Sequence, residues 1–249
     1  MCQTTGNPPG LSTPRSPIRV PRGARPFYRL PDLGQGHRGR TFRRLLAEAV
    51  VLVRRGRLPS VAEVALSAGV SRATAYRYFP SRSKLVSAMI AEGLAPVRRA
   101  VPQKGDAQQR LHELLNRTYS RFRTYEPHMR AALQLALEHQ ALEAAGMLEE
   151  EPFRRGQRRE ILDLAMRPLR ARLGPRAYQR LLKALAVVYG IEPMIILKDI
   201  CGASDRETEA VVRWMMDALV QTALREAARS RGAAEYNRRR QPRPVRRSP

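Results

Sequence analysis

Residues 59–85 read PSVAEVALSAGVSRATAYRYFPSRSKL, and two short helices and the start of a third are legible in them. Ser60 stands three positions ahead of Glu63 at the head of an apolar run. In that pattern the hydroxyl caps one free helix N–H and the carboxylate reaches back to another. Val61, Val64, Ala65 and Ala68 recur at helical spacing and form a stripe of small side chains that a second helix can cross closely. Gly69 ends this helix, because glycine takes the left-handed backbone of a C-cap without steric cost. Ser71 caps the next, whose third residue is Thr74 rather than an acid, so its N-terminus is expected to stay open to an anion. On the wheel of this second helix Ala75 and Phe79 point one way. Ala73 and Arg77 point the other, flanked by Thr74 and Tyr76, with Arg72 and Tyr78 at the border. Pro80 stops it, and Ser81 caps a third helix in which Arg82 and Lys84 face the positive pole of their own helix dipole, a cost that a nearby phosphate would offset.

The outward face is cationic, aromatic and hydroxyl-bearing around a small alanine, the chemistry suited to base edges and phosphates in a major groove. Two short helices about a glycine turn form a helix-turn-helix. The stretch resembles the TetR/AcrR family of transcriptional regulators through Ser60, Ala68-Gly69-Val70-Ser71, Tyr76 to Phe79, Arg82 and Leu85. It departs from the family pattern in carrying Arg82 for the usual lysine and Ala73-Thr74 for the common glycine or threonine pair. The resemblance implies a dimeric regulator of a double-stranded DNA operator, in most members a repressor. With the wheel, it nominates Ser60, Ser71, Arg72, Ala73, Thr74, Tyr76, Arg77, Tyr78, Arg82 and Lys84 as the DNA-contacting set.

The charge distribution fits. The 249 residues carry a formal net charge of +24, but it is not evenly spread. Residues 100–224 hold nineteen Lys or Arg against sixteen acids, a net of +3, so the remaining +21 lies in the reading head and the two ends. That is the footprint expected of nucleic-acid binding, although arginine dominance throughout also fits nucleotide bias in the gene. The two cysteines, Cys2 and Cys201, have neither metal nor disulfide spacing. With no apolar run near the ~20 residues that span a bilayer and no apolar signal-peptide core in residues 1–40, a cytoplasmic protein without membrane contact is expected.

Residues 1–37, rich in Pro, Gly, Ser and Arg, read as a disordered basic arm. Such an arm can follow phosphates or put Arg38 or Arg40 into a minor groove; the alternative is a leader without contacts. Residues 38–98 form the helix-turn-helix domain, its first helix carrying Phe42, Leu45, Leu46, Ala49, Val50 and Val53 from Thr41 to Arg55. Residues 99–230 form a helical effector-binding and dimerisation domain, and 231–249 a disordered basic tail. Within the effector domain one helix is expected up to Tyr125, a new one from Pro127 to Gly146, and another after Glu149, Glu150 and Glu151, acids suited to a helix start. Pro175 opens a long helix reaching Gly202, and Ser204 with Glu207 caps the last. The expected fold is all-α.

The last two helices carry more than one apolar stripe, and they look like the family's dimerisation pair. Leu185, Tyr189, Val211, Trp214, Met215, Ala218 and Leu219 are the interface candidates for a homodimer. A helix buried wholly within one subunit is the alternative. An apolar small-molecule effector, which the resemblance implies, would be lined by Tyr119, Phe122, Met129, Leu133, Met166 and Tyr189, since methionines and aromatics make adaptable walls; the alternative is ordinary core. No cofactor, metal site or catalytic constellation is legible. The four histidines lack HxxxH or HExxH spacing and are expected on the surface, and no GxSxG or phosphate loop is present. A binding protein rather than an enzyme is therefore expected. The reading from another class is a basic architectural protein that binds DNA without sequence preference.

Overall fold

The computed structural model describes residues 30–240 apart from Ala100, Gln103, Arg154 and Gly156. It is all-α, with no strand among the described residues. The head consists of α1 (His37–Arg54), α2 (Val61–Ser67), α3 (Arg72–Tyr78) and the first turns of α4 (Arg82–Arg99). Phe42, Leu45, Leu46 and Ala49 of α1 pack with Val64 and Ala65 of α2, Ala75 and Phe79 around α3, and Leu85 and Met89 of α4 in one apolar core. The Phe42 and Phe79 rings lie 5.1 Å apart. Ala65 and Ala75 are fully buried, and their small side chains let α2 and α3 cross closely.

Local chemistry starts and stops these helices as the residues imply. Ser60 N donates to Glu63 Oε2 at 2.8 Å while Glu63 N donates to Ser60 Oγ at 3.2 Å, completing the capping box. The Ser60 N–H foremost, and the Ser60 hydroxyl, which donates to the same carboxylate oxygen at 3.0 Å, lower the Glu63 pKa. At the other end Gly69 adopts φ +61°, and Val70 N donates back to Ala65 O at 3.0 Å. α1 begins at His37, four residues before the expected Thr41, so Arg38 and Arg40 belong to its first turn and not to an arm. The rest of the expected arm, residues 1–29, lies outside the described residues.

The second body is built on α5 (Ala107–Ala145), followed by α6 (Gln157–Met166), a 3-10 turn (Arg167–Leu169), α7 (Arg170–Val188), α8 (Ile191–Ile195), a π turn (Ile196–Ile200) and α9 (Asp205–Arg240). Three expectations change here. Pro127 does not begin a new helix: α5 runs through it for 39 residues. The proline removes one hydrogen bond, but Phe122, His128 and Met129 are buried on either side of it, and that burial holds the helix together. The helix from Pro175 does not reach Gly202; it breaks at Tyr189 and Gly190, where φ is +148°. The carbonyl of Ala186, which Gly190 N–H would satisfy in a continuous helix, accepts instead from Arg158 Nη1 at 2.7 Å. Arg158 also donates to Glu192 Oε2 at 2.5 Å, so a side chain of α6 occupies the break. Finally, α9 continues to Arg240, into the stretch expected to be a disordered tail from residue 231; residues 241–249 lie outside the described residues.

α4 and α5 run antiparallel and join the two bodies. No helix of the described residues is long and apolar enough to cross a membrane.

Candidate nucleic-acid interface

The α3 helix is fastened by its inner side and free on its outer one. Ala75 and Phe79 are buried, whereas Arg72, Ala73 and Arg77 are exposed and the Tyr76 ring is 46% exposed. Thr74 and Tyr78 are half-buried, and Tyr78 leans on Phe42 at 6.2 Å, which makes it a support for the helix. Ser71 Oγ accepts from Thr74 N at 3.2 Å and donates to Thr74 Oγ1 at 2.9 Å. Ser60 spends its hydroxyl on the α2 cap, donating to Glu63 Oε2 at 3.0 Å. Neither Arg72 nor Arg77 has a hydrogen bond or ion pair among the described residues. Two free guanidiniums, a phenol and a methyl-sized gap therefore share one exposed helical face, the donor set that reads base edges and neutralises phosphates.

The other two cations of the expected set are placed differently. Arg82 is ion-paired to Glu138 of α5, and Lys84 Nζ lies 2.7 Å from Glu151 Oε2. Ser83 between them is buried. Its N–H donates to Glu150 Oε2 at 3.3 Å and its hydroxyl to the Glu151 carbonyl at 2.9 Å. The three glutamates at 149–151 thus precede no helix start, since α6 begins at Gln157; two of them reach across to α4. The structure brings Arg72, Ala73, Tyr76 and Arg77 together and sets Arg82 and Lys84 against acids of the second body.

Residues 57–89, which span α2, α3 and the first turns of α4, match the family model described as bacterial regulatory proteins, tetR family. The helix-turn-helix of this chain is thus similar to that of the tetR family of bacterial regulatory proteins. A crystal structure of a TetR transcriptional regulator from Rhodococcus sp. RHA1 is similar over 74% of this chain and 97% of that chain, with 21% identity and a TM-score of 0.49. No curated protein matches the chain.

Outside the TetR-type head, the expected pocket residues lie in the core. Tyr119, Phe122, Met129, Met166 and Tyr189 are buried and Leu133 is half-buried. Tyr189 shares a 2.6 Å hydrogen bond with Thr118 Oγ1, and burial pushes its phenol up to about 12. Burial also raises the Tyr119 phenol, whose oxygen has no hydrogen-bond partner among the described residues; the Thr208 hydroxyl is similarly unpaired. A groove of about 740 Å³ lies instead between the start of α7 and the later part of α9, bordered by Leu173, Gly174, Arg180, Ala227 and Arg229, none of them in the expected set.

Of the interface candidates, Trp214 is 70% exposed, Ala218 exposed, and Val211, Met215 and Leu219 half-buried. Leu185 and Tyr189 turn inward and are buried in their own chain. Val187, Ile196 and Ile200 are exposed apolar residues outside the expected interface set; Ile196, read as part of the apolar stripe of the helix from Pro175, is turned outward beyond the break at Gly190. The histidine expectation also changes, because His128 and His139 are buried. Both lie on α5, eleven residues apart and so on one stripe. The buried Ala132, Leu135 and Ala136 lie between them on the same helix, so the stripe falls wholly within the segment expected from Pro127 to Gly146.

Proposed function

We propose that the chain is a cytoplasmic, dimeric, ligand-responsive repressor that binds a palindromic operator through α3. The observation that carries this reading is the exposed face of Arg72, Ala73, Tyr76 and Arg77, with both arginines unpaired and the helix anchored from behind by Ala75 and Phe79. One such face reads a half-site, and two heads are needed for a palindrome.

Dimerisation is supported by the outward apolar residues of the last helices. Arg172 pairs with Arg231 through a carbonyl and Arg180 with Glu226, so α7 and α9 are antiparallel. That register brings the end of α7, with Val187, beside the Trp214 to Ala218 stretch of α9. A second copy would cover this apolar face, which water otherwise meets. Ligand response is supported by the buried, unpaired hydroxyls of Tyr119 and Thr208, which a small effector with an apolar body and a polar group would satisfy. Occupancy then shifts the chain between DNA-competent and DNA-incompetent arrangements. The chain acts by binding and not by catalysis.

Selection of binding duplexes from a random library, followed by footprinting on the DNA flanking the gene, tests the reading. A protected palindrome is the expected result. Salt-steep binding with no enriched sequence would instead make it a basic architectural protein.

A further inference from the structure

We infer that Glu138, Glu150 and Glu151 form an internal counter-charge that competes with DNA phosphate for the start of α4, so that the second body sets the head's affinity for DNA through these residues. The inference rests on the reading of the head as a DNA-binding module, and concerns how that binding is restrained.

The start of α4 gathers positive charge from three sources. Arg82 and Lys84 supply two side-chain charges, and the first turn, whose Lys84 N–H is capped by Ser81 Oγ at 3.2 Å, adds the positive end of the helix dipole. No acid within residues 59–85 pairs with either side chain. The second body supplies their partners. Glu138 on α5 takes Arg82. Glu151 takes Lys84 at 2.7 Å and accepts the Ser83 hydroxyl through its carbonyl at 2.9 Å. Glu150 accepts the Ser83 N–H at 3.3 Å, the position a phosphate oxygen would take at a helix N-terminus. These contacts occupy both cations and the helix N-terminus, the places a phosphate backbone would take.

The acids are held in place. His139 is buried, one residue beyond Glu138. Its Nδ1 accepts the Phe153 N–H at 3.1 Å, which leaves Nε2 to face Glu150 Oε1 at 3.2 Å. The ring therefore pins the loop that carries Glu150 and Glu151 to the end of α5. By contrast, Arg72 and Arg77 on α3 face no acid among the described residues. The head thus has a reading helix ready for DNA beside a phosphate-binding corner that is already occupied. Full engagement of DNA requires Arg82 and Lys84 to exchange carboxylate for phosphate, and any movement of the end of α5 changes the cost of that exchange.

The test compares the full-length chain with Glu138→Gln/Glu151→Gln, which keeps side-chain shape and removes two charges, and with Glu113→Gln/Glu226→Gln, which removes two charges elsewhere. Each binds a duplex selected by the wild-type protein from a random library, across a salt series. Release of two partly exposed ion pairs should tighten binding about twofold to thirtyfold at 0.15 M salt. Two further phosphate contacts should steepen the log–log salt slope by about 0.9 each. The distant control should show no change in slope, and Glu138→Gln should have a much smaller effect in an Arg82→Gln background. If the paired variant matches wild type and control in affinity and slope, the counter-charge inference is overturned while the DNA-binding reading stands. If no duplex is enriched, the reading of the head itself fails.

Discussion

Gly93 of α4 lies directly under the Tyr125 ring of α5, so close that a Cβ on the glycine would come within 2.6 Å of the ring's Cδ1. The Arg121 guanidinium carbon lies 5.0 Å from the centre of the same ring, and His128 meets it at 5.2 Å. This contact is where the helix that carries the head crosses the helix that carries the second body.

The clash decides the sign of a substitution there. Glycine to alanine inside a helix ordinarily stabilises by roughly 1 kcal/mol, but the tyrosine ring is hemmed in and overpacking costs about 1 to 3 kcal/mol. Gly93→Ala should therefore lower stability in urea melts and move α4 away from α5. A more stable Gly93→Ala protein would mean that the two helices are not in fixed contact.

Tyr76→Ala and Arg77→Ala remove exposed groups of α3 that make no packing contact with the head's core. Each should cost roughly 1 to 3 kcal/mol of sequence-specific binding, while melting temperature and oligomeric state stay at wild-type values. Normal gel shifts of a selected duplex by both variants would move the reading face elsewhere.

Trp214 stands 70% exposed on α9. A charge at this position, in Trp214→Glu, should leave the fold intact and convert a dimer to a monomer, because an uncompensated carboxylate would be buried in the interface. Light scattering reads the outcome directly, and a dimeric mass would place the interface on another surface.

His128 is fully buried, with neither ring nitrogen paired among the described residues. Burial lowers its pKa below 6.5, and the Arg54 guanidinium of α1 adds repulsion. In the unfolded chain the ring takes up a proton near 6.5, whereas in the native chain it stays neutral to lower pH. The unfolded state binds more protons in that interval, so stability falls as pH drops from 6.5 and levels off below the native value, with a limiting slope of about 1.4 kcal/mol per pH unit. His128→Leu should flatten this part of the profile without loss at pH 7.5, since it removes two unpaired polar atoms. Parallel slopes for the two proteins in denaturant titrations from pH 7.5 to 5 would assign the pH dependence to other groups.

Short-range signals in the chain were sufficient for the head. The Ser60–Glu63 box, the Gly69 turn, the Ser71 cap and the Ala75–Phe79 face all act within a few residues of one another, so their reading in the sequence survives in the structure. The same local logic failed at Pro127, where burial along α5 overrides a single missing hydrogen bond, and at Gly190, where Arg158 enters from a helix thirty-two positions earlier.

The sequence by itself determined an all-α chain with a helix-turn-helix whose outer face carries Ala73 and Arg77 with Tyr76 beside them, because helical periodicity and capping are set by neighbours along the chain. That Arg72 joins this face and Thr74 is half-buried came from the packing. Tertiary structure alone decided that Arg82 and Lys84 pair with glutamates of the second body, that Leu185 and Tyr189 turn inward while Val187 and Trp214 turn out, and that two histidines are buried. Those outcomes depend on which distant segments pack together. Periodicity can assign a residue to a face of its helix, but the charge or side chain that meets that face is supplied by another part of the chain.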